Sequence, residues 1–323
     1  TAMIYLTEDD VRQRLTITDA IRLVEEAFRQ LAAGAADNIP RSRCRAPGFI
    51  LHSMSAAAAY LGLAGWKNYA TTKAGAKFHV GLYDTATGTL QALIEADRLG
   101  QLRTGAVTGV AARYLTSPDV DRLGMFGSGW QAESQLAAVA AVRPIRQAVV
   151  YSRNAERRQA FAQRMAQELN IDVVAADEPQ QAAADMPIVI TATSSRQPVL
   201  QADWLAPGTF VAAMGSNWLE KSELDVATVA QASRVVCDDI ACCQKEAGDL
   251  HQAAEQGAFD WAMAENLAAV VAAGASPPSG QGGLCIFKSV GMAIEDIAVA
   301  AWVARKELRA AGVALPSLGP GGE

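Results

Sequence analysis

The sequence predicts an α/β fold, with a doubly wound parallel sheet of the Rossmann type following a separate region of short helices and strands. Three observations predict it. From Val120 onward, short apolar segments alternate with helical ones, the pattern of a sheet covered on both faces. The first of these strands runs straight into Gly127-Ser-Gly129-Trp-Gln-Ala132 and then a helix. The chain has 323 residues, half of them apolar, which is room for two domains.

In chain order, Thr7 and Asp10 stand at capping-box distance and open a first helix. Thr18-Asp19 caps a second, with Ile21, Val24, Phe28 and Leu31 on one face, and Asn38-Ile-Pro40 ends that unit. Strand-like runs follow at Phe49 to Leu51, Leu61 to Leu63, Phe78 to Tyr83 and Leu90 to Ile94, the last two joined by a hairpin turn at Asp84 to Gly88. A small-residue helix runs from Gly105 to Tyr114 with Thr104 as N-cap, and Ser117-Pro118-Asp119 marks a domain boundary. Parallel strands are then expected at Leu123 to Phe126, Gln147 to Tyr151, Ile171 to Val174, Ile188 to Ala192, Thr209 to Ala213 and Arg234 to Cys237. Helices are expected at Gln131 to Val142 and Asn154 to Leu169. Gly280 to Gly283 reads as a flexible loop leading through Ile286 into a long helix that ends near Leu308, and Pro320 to Glu323 as a loosely held tail.

Strand, glycine turn and helix together place a pyrophosphate on helix N-terminal amides. Gly127 permits the turn, Gly129 lets backbone approach the phosphate, and Ala132 lets helix pack on strand. Ser128, Trp130 and Gln131 belong to the same cradle. At the end of the second strand stand Ser152, Arg153 and Asn154, with Arg157 a turn later and no acid at the strand end. A hydroxyl and an arginine suit a 2′-phosphate, because guanidinium makes charge-assisted forked bonds to it. NADP(H) is therefore the expected cofactor, with NAD(H) as the alternative; the competing reading is that these arginines are a solvated helix face. Thr191, Ala192 and Thr193 after the fourth strand, and Met214 and Gly215 after the fifth, are assigned to the same site, with an ordinary turn as the alternative for the hydroxyl residues.

Net charge is −6 and the charges are interspersed, so nucleic acid is not expected as a partner. No apolar run is long enough to span a bilayer and no secretory signal is visible, so no membrane association and a cytoplasmic location are expected. The five cysteines fit neither a zinc site nor a redox pair and read as buried thiols, and three scattered histidines give no reason to expect a metal.

Several further stretches carry a resemblance: Ile39-Pro-Arg41-Ser, Gly65-Trp-Lys67, Leu102-Arg103-Thr104, Gly215-Ser-Asn217, Lys221-Ser-Glu223-Leu-Asp225, Glu246-Ala-Gly-Asp249 and Phe287-Lys288 to Asp296. With the glycine turn, they make the chain resemble the ornithine cyclodeaminase/mu-crystallin family over nearly its whole length. The resemblance implies a homodimer. It implies a Rossmann domain, residues 119–288, inserted into a discontinuous α+β substrate and dimerisation domain of residues 1–118 and 289–323. It also implies hydride transfer between a nicotinamide and an α-amino-acid carbon. Arg41 and Arg103 match the carboxylate-binding arginines and Lys67 the active-site lysine, a proton donor whose pKa should fall beside two guanidiniums. Met54 is placed in the substrate pocket, Thr104 and Lys288 in the cofactor region. Glu246 and Asp249 read equally as helix braces, and Lys288, Glu295 and Asp296 as an internal ion-pair set.

Asn217 departs from the family pattern, since cyclodeaminases carry an aspartate at the matching position. An amide accepts no proton at neutral pH, so Asn217 serves to orient an imine or a water rather than as general base. The reading is an NADPH-dependent reductase of α-imino acids, such as Δ1-pyrroline-2-carboxylate or Δ1-piperideine-2-carboxylate, giving L-amino acids, with Lys67 and Asn217 as catalytic residues. The alternatives are amino-acid deamination with NAD, of the ornithine cyclodeaminase or alanine dehydrogenase type, and an NADP-binding protein without significant turnover.

Overall fold

In a computed structural model that describes residues 3–275 and 283–316, the chain divides into two compact units. One takes the chain up to Arg103 and from Met292 onward; the other is Thr104–Gly291.

The first unit begins with β1 (Ile4–Leu6), α1 (Glu8–Arg14) and α2 (Ile17–Ala32). Thr7 and Asp10 close the predicted capping box on α1. The cap of α2 is Thr16 rather than Thr18-Asp19: the Asp19 N–H donates to the Thr16 hydroxyl at 3.1 Å, so Asp19 is the third residue of the helix. Ile21, Val24 and Phe28 are buried on its inner face. Five strands follow: β2 (Ala36–Ala46), β3 (Phe49–Ala58), β4 (Leu63–Thr72), β5 (Gly75–Asp84) and β6 (Leu90–Glu95). They form a sheet in the order β1-β6-β5-β4-β3-β2, antiparallel except for β1 beside β6. Asn38-Ile-Pro40, expected to end the preceding unit, lies inside β2. The sheet tolerates Pro40 because β2 is an edge strand and its register breaks between Ile39 and Ser42.

Helix α3 (Asp97–Leu115) starts eight residues before the predicted Gly105, so Thr104 is interior and not a cap. The helical residues Asp97 to Leu102 supply a complete first turn and a half, with Asp97 where the helix dipole favours an acid.

The second unit runs β7 (Arg122–Phe126), α4 (Trp130–Val142), β8 (Gln147–Tyr151), α5 (Ala155–Leu169), β9 (Asp172–Ala175), β10 (Ile188–Thr191), β11 (Phe210–Ala213), α6 (Val226–Ala230), β12 (Ala232–Cys237), α7 (Ile240–Glu246), α8 (Gly248–Glu255), β13 (Ala264–Asn266), α9 (Leu267–Ala273) and β14 (Leu284–Lys288). All eight strands are parallel, in the order β13-β12-β14-β11-β10-β7-β8-β9. The chain leaves β7 toward β8 and β9 and then returns to β10 on the other side of β7. That reversal opens a crevice at the carboxyl ends of β7 and β10, where doubly wound sheets bind ligands. The fold is thus the predicted Rossmann sheet with two strands the sequence reading lacked, β13 and β14.

β14 was expected to lead into the C-terminal helix and is instead a central strand between β11 and β12. Its five residues are all buried, and a short apolar run has no periodicity by which to tell strand from helix. The chain then re-enters the first unit as α10 (Ala293–Val303), followed after Ala304 by α11 (Arg305–Ala310). The predicted loop at Gly280 to Gly283, up to Gly282, and the tail at Pro320 to Glu323 lie outside the described residues. Cys44 is exposed, contrary to expectation, while the other four cysteines are buried free thiols. No helix among the described residues is long and apolar enough to cross a membrane.

Candidate active site

In the first unit, the predicted substrate-binding residues converge on one face of the sheet. Strand register sets Lys67 on β4 directly opposite Met54 on β3 and Val80 on β5. Arg41, at the register break of β2, joins them: its Nε–H donates to Met54 Sδ at 3.3 Å, and its guanidinium lies 5.9 Å from the centre of the Tyr69 ring. α3 brings Arg103. α10 brings Glu295 and Asp296, and every one of its eleven residues is buried.

Two acids in so apolar a helix require partners, because an unpaired buried charge costs several kcal/mol. Lys67 Nζ donates to Asp296 Oδ1 at 2.9 Å, and Arg103 Nε donates to the same oxygen at 3.0 Å. Arg103 Nη1 donates to Glu295 Oε2 at 2.7 Å. Arg103 Nη2 makes no hydrogen bond among the described residues.

Burial, and next the Arg103 charge, push the Lys67 ammonium down; Asp296 pushes back, and the balance lies at about 8. Burial also works against the Arg103 charge, but Asp296 and Glu295 outweigh it and hold Arg103 above its ordinary value. The cluster therefore offers a permanent guanidinium beside a lysine that exchanges its proton near neutral pH, a pairing suited to holding a carboxylate and moving a proton.

The sequence reading missed the groups flanking this cluster. The Phe78 ring lies 5.2 Å from Lys67 Nζ. His52 stacks on Tyr69 with ring centres 4.1 Å apart and accepts a hydrogen bond from Arg43 Nε at 3.2 Å on Nδ1. Burial, then the charges of Arg43, Arg41 and Arg45, hold the His52 imidazole down to about 4, so it is neutral at physiological pH. The signal was the period of two: residues 67 and 69 share a face, and so do residues 52 and 54. No cluster of metal-binding side chains occurs among the described residues.

In the second unit, a cleft of about 550 Å³ opens at the carboxyl ends of the central strands. Gly127, Ser128, Gly129, Trp130, Gln131, Ser152, Arg153, Asn154, Arg157, Ala192, Thr193, Met214 and Gly215 all line it. Gly127 has φ +118°, and a Cβ there would meet the Ala192 carbonyl oxygen at 2.4 Å, so no other residue fits that turn. A Cβ on Gly129 would meet nothing within 4 Å, which leaves open space in front of the α4 N-terminus. These features fit a dinucleotide pyrophosphate. Ser128 and Ser152 hydroxyl oxygens lie 2.8 Å apart and join the glycine turn to the end of β8. Arg153 and Arg157 are exposed at the rim. Arg158 is instead buried, donating to the Ser152 carbonyl oxygen at 2.6 Å.

Four residues assigned to the cofactor lie outside the cleft lining. Ala132 is wholly buried in α4, the packing position its size suggested. Thr104 accepts a hydrogen bond on its carbonyl oxygen from Gln135 Nε2 at 3.1 Å. The Thr191 hydroxyl donates to Glu223 Oε2 at 2.8 Å and not toward the cleft. Lys288, at the end of β14, is wholly buried: Nζ pairs with Asp249 Oδ2 at 2.7 Å and donates to the Ser216 carbonyl oxygen at 2.8 Å. A buried ammonium so engaged braces the sheet and does not reach a ligand. Asn217 is half-buried in the loop after β11.

The ornithine cyclodeaminase/mu-crystallin family model matches residues 2–310. The iminosuccinate reductase of Paracoccus denitrificans is 31% identical over 92% of this chain and 94% of its own. The structure of Thermococcus litoralis Δ1-pyrroline-2-carboxylate reductase in complex with NADH and L-proline superposes with a TM-score of 0.90 at 29% identity, covering 96% of this chain and 99% of that one. An archaeal alanine dehydrogenase dimer with bound NAD gives a TM-score of 0.89 at 27% identity, over 98% and 99% of the two chains. With the glycine turn, the eight-stranded parallel sheet and this agreement end to end, the chain belongs to the ornithine cyclodeaminase/mu-crystallin family and is a nicotinamide-dependent oxidoreductase.

Proposed function

We propose that this protein reduces α-imino acids to L-amino acids with NADPH, cyclic imines such as Δ1-pyrroline-2-carboxylate among them, and that it works as a homodimer. The observation that carries the reading is the buried cluster in which Asp296 holds both Lys67 and Arg103. Bound NADPH supplies the hydride. Arg41 and the open Nη2 of Arg103 hold the substrate carboxylate as a cationic clamp. Lys67 donates a proton at the substrate nitrogen, with Asp296 holding the ammonium in place. Asn217 orients the substrate by hydrogen bonding, and its amide makes no general base for deamination. The homodimer follows the family, one solved relative being a dimer.

A screen of cyclic and acyclic imino acids tests the reading, followed through NADPH oxidation. Turnover of Δ1-pyrroline-2-carboxylate or Δ1-piperideine-2-carboxylate is expected. Ammonia release from ornithine without imine reduction would overturn it.

Cofactor choice rests on Ser152, Arg153 and Arg157 at the rim of the cleft, with no acid at the end of β8. A charged hydrogen bond is worth about 1.5–3 kcal/mol, so Arg153→Ala should raise the Kd for NADPH about 10- to 100-fold. For NADH the change should stay within about threefold, because the bare ribose offers Arg153 no charge to bind. Fluorescence titration with both nucleotides measures this, and equal losses for the two would defeat the assignment.

A further inference from the structure

Glu223 lies in the loop after β11 and is wholly buried. Its carboxylate gathers two segments that line the dinucleotide cleft. Oε1 accepts from the Thr193 N–H and from the Thr193 hydroxyl, each at 2.7 Å. Oε2 accepts from the Gly215 N–H at 2.6 Å and from the Thr191 hydroxyl at 2.8 Å. All four donors thus come from the ends of β10 and β11, and Thr193 and Gly215 line the cleft. The approach is so close that a Cβ on Gly215 would meet the Thr193 carbonyl oxygen at 2.3 Å and clash with Glu223 Oε1 as well.

Glu223 is itself held from behind. Its N–H donates to Asp249 Oδ1, which also accepts from Ser222 Oγ at 3.1 Å and the Leu224 N–H at 3.0 Å. The Glu223 carbonyl accepts from the Val199 N–H at 2.8 Å. Lys288 closes the chain through its ion pair with Asp249. A carboxylate given four donors and fixed at both backbone ends has no freedom to reorient, as expected of a group that positions its neighbours.

We propose that Glu223 is a positioning residue for the nicotinamide half of the cofactor. It fixes the Thr193 and Gly215 segments as one wall of the cleft, with Asp249 and Lys288 as its support. The proposal rests on reading the cleft as the dinucleotide site. In a doubly wound sheet the two halves of the dinucleotide lie on either side of the switch point. The glycine turn and the end of β8 serve the adenosine half, and the ends of β10 and β11 serve the other.

The test separates the two halves. Glu223→Gln keeps the shape but turns an amide N–H2 toward backbone N–H donors. Its Kd for NADPH should rise about tenfold or more, the equivalent of one lost hydrogen bond to a charged group. Its Kd for adenosine 2′,5′-bisphosphate, which reaches only the first half, should stay within about twofold. Should Glu223→Gln fail to fold, Thr193→Val removes one of the four bonds and should show the same split at about threefold. Unchanged NADPH binding, or equal weakening for both ligands, would overturn the proposal. If the unaltered protein bound neither ligand, the reading of the cleft itself would fall.

Discussion

Lys67→Met is expected to lower the rate of imine reduction about a thousandfold or more, while NADPH binding stays within about twofold. The first figure is the usual contribution of a positioned proton donor. The second follows because Lys67 belongs to the unit that does not hold the dinucleotide cleft. The fold should tolerate the change: Asp296 Oδ1 keeps its bond from Arg103 Nε, and a methionine fills the volume of the lysine stem. Stopped-flow reduction together with NADPH titration measures both quantities. Loss of nucleotide binding alongside turnover would show that the lysine has been given the wrong role.

The same residue sets the pH dependence. Burial and the Arg103 charge hold Lys67 at about 8, well below the ordinary 10.5, and the proposed proton donor acts in its protonated form. The rate of reduction should therefore be flat on the acid side of that value and fall about tenfold per pH unit beyond it. Amino-acid oxidation, run backwards, needs the neutral amine and should rise through the same range. The linkage to stability has its own sign. Below about 8 the lysine is charged in both folded and unfolded chains, and the folded state bears the full cost of the buried ammonium. That cost is relieved as pH rises from the folded value toward the unfolded one.

Asp296→Asn is the second large effect. It removes the one carboxylate shared by two buried cations, and breaking a buried pair from one side costs about 3–5 kcal/mol. The retained amide oxygen should keep the loss near the lower figure, a fall in Tm of about 6–12 °C. The charge that holds the Lys67 ammonium up is gone as well, so the alkaline limb of the reduction profile should move to lower pH. Scanning calorimetry and a pH series on the variant check the two effects. A variant with unchanged Tm and an unmoved limb would mean that Asp296 does not govern Lys67.

Much of this was legible in the chain. The glycine turn, six of the eight parallel strands and most of the cleft lining follow from local pattern, because phosphate binding demands Gly127 and Gly129 in sequence-local order. Lys67, Arg41 and Arg103 came from resemblance alone, since residues so far apart in sequence share no periodicity. Thr104 and Lys288 show the limit. Both were placed at the cofactor by the resemblance, yet Thr104 lies inside α3, and Lys288 turns inward to Asp249. Glu223 went unassigned because its meaning lies in four donors from other segments. β14 escaped for a simpler reason: its short apolar run leads directly toward the apolar helix α10, with no periodicity to separate strand from helix.

The connectivity of α10 carries a consequence for synthesis on the ribosome. Lys67 and Arg103 emerge long before Glu295 and Asp296, with the entire parallel-sheet unit translated in between. Until that helix arrives, the early sheet lacks its apolar cover, and Lys67 and Arg103 lack the anions that neutralise them. The nascent chain therefore has an intrinsic order of maturation: the parallel-sheet unit can close before Lys67 and Arg103 meet their acids.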